Sequence, residues 1–188
     1  LWSWNDRLNL TRHTDVQQFV QRDVIDTAAI CPFMKTNERV LDVGTGGGVP
    51  GVVLAILRRD LTVELSDTSS KRIAALRSIL DEIKLSLMIH HQPAQQIAHD
   101  MNSQGHPFDT LIIRAVAPLP KLLAWFEPIS SVYGRLLLIK GPRWEAEKRD
   151  SRHRGFLKKV TARRIADWPI PGKDTQSVLL EIKKRHNA

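Results

Sequence analysis

The chain has 188 residues, 42% hydrophobic and 26% charged, with a formal net charge of +8, a composition ordinary for one globular domain with a sizeable core. Its longest apolar run, 49–57, contains Pro50 and Gly51 and stops at Arg58-Arg59, far short of the ~20 residues a membrane span needs, and no signal peptide is read. The single cysteine, Cys31, has no internal disulfide partner and no Cys/His grouping has metal-site spacing, which predicts a cytoplasmic protein with no bound metal and no membrane partner.

The chain opens at Leu1 rather than Met, so a preceding segment is expected, and Trp2, Trp4, Leu8 and Leu10 are expected to pack on that segment or on the domain. From Thr14, a cap candidate with Gln17 three residues on, Val16, Phe19, Val20, Val24 and Ala28 recur at helical spacing until Cys31-Pro32. This predicts an N-terminal helical extension over 1–34, laid against a main domain over 35–188.

Residues 39–43 read as a buried strand that runs into Asp42-Val43-Gly44-Thr45-Gly46-Gly47-Gly48-Val49-Pro50-Gly51, and 50–59 as the helix after it. Alternating glycines suit a turn that needs positive φ and lets backbone approach a ligand closely. The G-x-G-x-x-G pattern at Gly46–Gly51 is weak evidence for a dinucleotide. Asp42 decides the matter by charge: an acid at the strand end repels a pyrophosphate but can hold, directly or through water, the ammonium of a methionine-type cofactor. The loop residues Asp42, Gly44, Gly46, Gly48 and Val49 therefore point to S-adenosyl-L-methionine.

A second strand over 61–66 ends at Asp67, 21 residues past Gly46, where an acid in a βαβ unit meets ribose hydroxyls. Ser70–Lys84 reads as a strong helix with Ile73, Leu76, Ile79, Leu80 and Ile83 on one side. A third strand over 85–89 leads to Ala94-Gln95, placed beside an adenine. Short-helix, strand and helix signals follow over 95–101, 108–113 and 119–129. Arg114 falls at the carboxyl end of its strand, and Lys140 at the end of the next (135–139), both expected to face the crevice that holds Asp42. A basic helical stretch from Arg143 to about Phe156 precedes two last strands, 159–166 and 177–183, with Trp168 to Gly172 in the loop between them.

The charge is uneven. Residues 1–94 hold 11 basic and 11 acidic side chains, whereas 95–188 hold 17 and 9, and such a one-sided field marks a polyanion binder. Alternating βα units closed by a strand pair predict an α/β fold, a class I (Rossmann-like) S-adenosylmethionine-dependent methyltransferase with a mostly parallel seven-stranded sheet and an antiparallel last strand. A dehydrogenase would need a second domain for which residues are lacking. The residues alone leave open a methyltransferase of another RNA or a small substrate, and an RNA-binding protein with a degenerate cofactor loop.

Asn9-Leu10-Thr11, the DVGTGGGVPG run from Asp42 to Gly51, Ser66-Asp67 with Lys71-Arg72, Arg114-Ala115, and Leu138-Ile139-Lys140-Gly141-Pro142 stand here in the order and spacing of the GidB/RsmG family, which the chain resembles along nearly its whole length. The resemblance implies formation of 7-methylguanosine in 16S ribosomal RNA, free or in small-subunit particles, with cofactor contacts at Gly44, Val49, Ala94, Gln95 and Arg114 and Asp67 at the ribose. Where the family usually has Arg-His this chain has Arg22-Asp23, followed by Asp26 where an aspartate is expected, and it has Ala94-Gln95 in place of Ala-Glu. Guanine N7 carries a lone pair and no proton, so its in-line attack on a sulfonium methyl needs no general base. Alignment and electrostatics are left to Arg114 and Lys140. Lys71, Arg72, Lys140, Arg143, Lys148 and Arg149 are the expected RNA contacts, and the protein is expected to act as a monomer.

Overall fold

In β1 (Arg39–Val43) side chains alternate between faces, so Val40 enters one apolar layer while Leu41 and Val43 enter the other. This computed structural model describes residues 4, 5, 8, 10, 11, 13 and 15–185. β2 (Thr62–Ser66), β3 (Met88–His90), β4 (Phe108–Arg114), β5 (Tyr133–Lys140), β6 (Val160–Pro169) and β7 (Gln176–Lys184) complete a seven-stranded sheet in the order β3-β2-β1-β4-β5-β7-β6. The first five strands run parallel, and β7 enters antiparallel between β5 and β6.

Helices cover both faces, as a parallel sheet requires. On one face Ile30 of α1 (16–30), Leu54 of α2 (Gly51–Leu57) and Leu76 and Leu80 of α3 (Ser70–Glu82) pack on Val40, Leu65 and Ile112. On the other, Ile97 of α4 (Ala94–Ser103) and Leu122 and Phe126 of α5 (Leu119–Phe126) pack on Leu41, Leu111 and Leu136, with Trp144 of α6 (Trp144–His153) at the margin.

The predicted elements recur, with β3 beginning at Met88 rather than at Leu85 and three further corrections. In α1 the expected apolar stripe does not face the core: Val16 and Val20 are 56% and 43% exposed, while Asp23, Asp26, Thr27 and Ile30 are buried. The cause is a π turn over Val20–Val24, which widens the helix by one residue per turn and slips the phase computed at 3.6. Its cap is Asp15, whose carboxylate accepts from Gln18 N; Thr14, like Trp2 and Asn9, lies outside the described residues. Ile83 leaves the buried side of its helix, because α3 ends at Glu82 and Ile83 is the half-exposed residue after it. Trp168 and Pro169 belong to β6 rather than to a loop, since a register shift between Arg164 and Ala166 lets the strand run on.

Candidate active site

Beyond the carboxyl ends of β1 and β4 the chain's winding reverses. The two strands are neighbours, Val43 level with Ile113, but the helices that follow them lie on opposite faces, so the loops after them part and leave a crevice. Asp42, Gly44 and Arg114 meet there. Gly44 takes φ +66°, and a Cβ on it would stand 2.8 Å from Val116 Cγ2 of the opposite loop, so that approach requires glycine. Gly46 and Gly48 also have positive φ, and Val49 is half-buried at the loop's end.

Asp42 is buried. Its Oδ2 accepts from Thr45 Oγ1 at 2.6 Å and from Gly51 N at 2.8 Å. Its Oδ1 is also buried and has no hydrogen-bond partner, which is rare for a buried carboxylate oxygen and marks a place for a donor. Burial pushes the carboxyl up to about 6, although the Thr45 hydroxyl, the Gly51 N–H and the charge of Arg114 pull the other way. The orphaned oxygen beside a glycine loop fits an ammonium-bearing cofactor.

Asp67 follows β2 and holds the loop: Oδ2 accepts from Gly46 N at 3.1 Å and Oδ1 from Ser69 N at 2.9 Å. Each oxygen keeps a further lone pair for a hydroxyl. Ala94 and Gln95 open α4 after Pro93, whose side chain makes no cap, so their N–H groups lack intrahelical acceptors.

Arg114 is held from the far end of the sequence. Its Nη2 donates to Asp23 Oδ1 at 2.5 Å and its Nε to Asp26 Oδ2 at 3.2 Å. Asp26 Oδ1 also accepts from Trp168 Nε1 at 2.7 Å, and His13 Nε2 lies 2.9 Å from Asp23 Oδ1. Arg114 forms no hydrogen bond with Asp42 or Asp109 among the described residues. Two acids three apart on one helix were the available signal for α1; the indole of Trp168, 142 positions away from Asp26, had none.

Lys140 sits at the same edge but leaves the sheet on the α5–α6 side, because alternation in β5 sends it opposite to Ile139. Its Nζ meets Glu147 Oε2 at 2.7 Å and the Ala117 carbonyl at 3.1 Å. Glu147 Oε2 accepts from Leu119 N as well, at 2.7 Å. The structure therefore brings Asp42, Gly44, Asp67 and Arg114 together and sets Lys140 apart from them. Of the remaining basic candidates, Lys71 and Arg72 are exposed on the first turn of α3, with Arg72 Nη1 3.6 Å from Asp67 Oδ2. Arg143 and Arg149 are exposed, and Lys148 Nζ stands 5.8 Å from the centre of the Trp144 ring. Among the described residues, no cluster of three or more His, Cys, Asp or Glu side chains could hold a metal ion, and no helix is long and apolar enough to cross a membrane.

This strand order, with an antiparallel seventh strand and a glycine loop closed over a buried acid, defines a class I, Rossmann-like methyltransferase fold. Magnesium protoporphyrin IX methyltransferase from Synechocystis PCC 6803, solved with bound SAM, superposes with a TM-score of 0.63 at 19% identity, covering 98% of this chain and 91% of that one. An rRNA methylase from Streptococcus thermophilus gives 0.58 at 16% identity over 88% of this chain and 98% of its own. Residues 1–169 match the family described as GidB, rRNA small subunit methyltransferase G, and the chain belongs to it. Ribosomal RNA small subunit methyltransferase G of Rhodopirellula baltica is 39% identical over 170 residues, 90% of this chain and 71% of that protein. The Escherichia coli protein of the same name is 34% identical over 147 residues, 78% of this chain and 69% of its own length.

Proposed function

We propose that this chain methylates N7 of a guanine in 16S ribosomal RNA, taking the methyl group from S-adenosyl-L-methionine. Asp42 carries the reading: a buried carboxylate with one unpartnered oxygen beneath a glycine loop favours a bound ammonium and disfavours a pyrophosphate. Bound there, S-adenosylmethionine supplies a methyl group on a sulfonium centre. Gly44, Gly46, Gly48 and Val49 shape the cradle, Asp67 takes the ribose hydroxyls, and Ala94 and Gln95 read the adenine edge.

Guanine N7 has no proton to lose, so the chain needs only to align the base, shield it and balance charge. Arg114, fixed by Asp23 and Asp26, is the positioning group nearest the crevice, and Lys140 orders the loop after β4 through Ala117 and Glu147. N7 faces the narrow groove of an A-form helix, which side chains cannot enter, so the target guanine is unpaired or splayed out. Residues 1–34 form an extension on a methyltransferase domain of 35–188, and the enzyme works as a monomer on free RNA or a small-subunit particle, with Lys71, Arg72, Lys140, Arg143, Lys148 and Arg149 on the RNA.

The test is transfer of tritiated methyl from S-adenosylmethionine to 16S RNA and to small subunits from cells lacking the enzyme, followed by nucleoside analysis. Label in 7-methylguanosine is the expected result; label in another nucleoside, or in none, refutes the proposal. Alanine at both Arg114 and Lys140 should slow single-turnover methylation, and an unchanged rate removes them from the mechanism.

A further inference from the structure

We infer that the face formed by α6, the turn after it and the outer strands β6 and β7 grips an RNA phosphate backbone, in a depression of about 300 Å³ walled by Lys148, Arg152, Lys158 and Arg185. The inference rests on the ribosomal RNA reading above and deepens it by naming a second contact surface. Four cations wall the depression and no carboxylate does.

Four neighbouring basic residues are neutralised. Arg154 meets Asp150, Lys159 meets Glu127, Arg164 meets Asp167 and Lys183 meets Glu181. Among the described residues, none of the four in the depression has a carboxylate within ion-pair distance. Lys148 and Arg152 stand four apart on one helix face, where like charges repel, and no carboxylate among the described residues pairs with either. A polyanion would offset that repulsion.

The depression lies toward the amino end of β5, and α6 links it to the crevice edge. Trp144 opens α6 just beyond Lys140, and its ring is flanked by Lys148 and Arg164, each cation 5.8 Å from the ring centre. Trp144, Lys148 and Arg152 follow at i, i+4 and i+8, a row of roughly 12 Å along the helix at 1.5 Å per residue. Arg149 does not line the depression. A strand whose target base enters the crevice can thus lay its flanking phosphates down this row. Of the RNA contacts read from sequence, Lys148 belongs to the row and Arg149 does not; Arg152, Lys158 and Arg185 join it.

The experiment measures binding of labelled 16S RNA, and of a 20-nucleotide poly(U) strand, across a salt series. The variants are the triple Arg152→Gln/Lys158→Gln/Arg185→Gln and, as control, the double Arg154→Gln/Lys159→Gln, whose cations are already paired. S-adenosylmethionine binding by calorimetry reports an intact fold in each. Each phosphate contact contributes about 0.7–0.9 to the slope of log K against log salt, so the triple variant should flatten it by about 2–3, with much less change in the control. An unchanged slope in the triple variant, or equal flattening in both, overturns the inference. Weakened binding to small subunits with unaltered binding to both RNAs also overturns it, making the occupant a ribosomal protein. A wild-type slope that the triple variant flattens, in a protein that methylates no RNA, supports this surface while refuting the proposed reaction.

Discussion

Arg114 Nη2 and Asp23 Oδ1 stand 2.5 Å apart across 91 positions of sequence, and this contact fastens α1 to the carboxyl end of β4. Asp23 is buried and Arg114 nearly so, at 5% and 16% side-chain exposure. Removing one member of such a pair strands the other, so Asp23→Ala should destabilise the protein by about 3 kcal/mol, softened by the second carboxylate of Asp26. Urea unfolding measures the loss. Methyl transfer should fall further than stability at a temperature where the variant remains folded, because Arg114 loses its orientation.

Asp42 links the site to pH. Its folded pKa, about 6, lies above the unfolded value near 3.8, so the folded state binds the extra proton between those values. Its contribution to stability is therefore greatest below pH 4 and declines as pH rises to 6. Comparing wild type with Asp42→Asn over pH 4–7 isolates the trend, since the amide has no such slope. Cofactor binding has the opposite sign: an ammonium beside Oδ1 favours the carboxylate, so affinity should rise from pH 5 to 7 with proton release near pH 6. Calorimetry in buffers of different ionisation enthalpy detects that proton, and its absence separates Asp42 from the ammonium.

Gly51 permits α2 to lie against β1. A Cβ there would stand 2.4 Å from Leu65 Cδ2 and 2.6 Å from Asp42 Oδ2. Gly51→Ala should cost about 1–3 kcal/mol by overpacking and weaken S-adenosylmethionine binding by displacing the carboxylate. Thermal melting with and without cofactor tests both effects, and a variant with normal affinity would show that the Asp42 geometry tolerates displacement.

Glu147 serves two donors with one oxygen, Lys140 Nζ and Leu119 N. Glu147→Ala leaves Leu119 N without its acceptor and Lys140 with only the Ala117 carbonyl, and should destabilise by about 1–3 kcal/mol. Glu147→Gln keeps an acceptor for the N–H while removing the charge, so it should recover part of that loss. Equal loss in the two variants would assign the whole effect to the ion pair. Chemical denaturation at pH 7 distinguishes these outcomes.

Strands were legible because apolar runs bounded by turn residues leave little choice: 39–43 and 108–113 are found almost to the residue. The glycine loop was legible because positive φ and close approach are written in residue type. What was not legible was polar and distant. Apart from Ile30, the buried side of α1 is Asp23, Asp26 and Thr27, invisible to a search for apolar periodicity and displaced by a π turn. Lys140, expected beside Asp42, takes the other face by alternation within β5 and is held by Glu147 of a later helix. Ala115 at φ +56°, directly after Arg114, could not be read at all, since alanine gives no sign of left-handed backbone.

β6 closes the sheet as a strand of ten residues, long enough to template another copy of itself along its unpaired backbone. Three features argue against such pairing: Arg163 places an exposed charge on the strand, the register shift between Arg164 and Ala166 kinks it, and Pro169 withholds an N–H at its end. Together they keep identical molecules from adding edge to edge into aggregates. Neutralising Arg163 would be expected to shorten the protein's life in concentrated solution before it altered any catalytic constant.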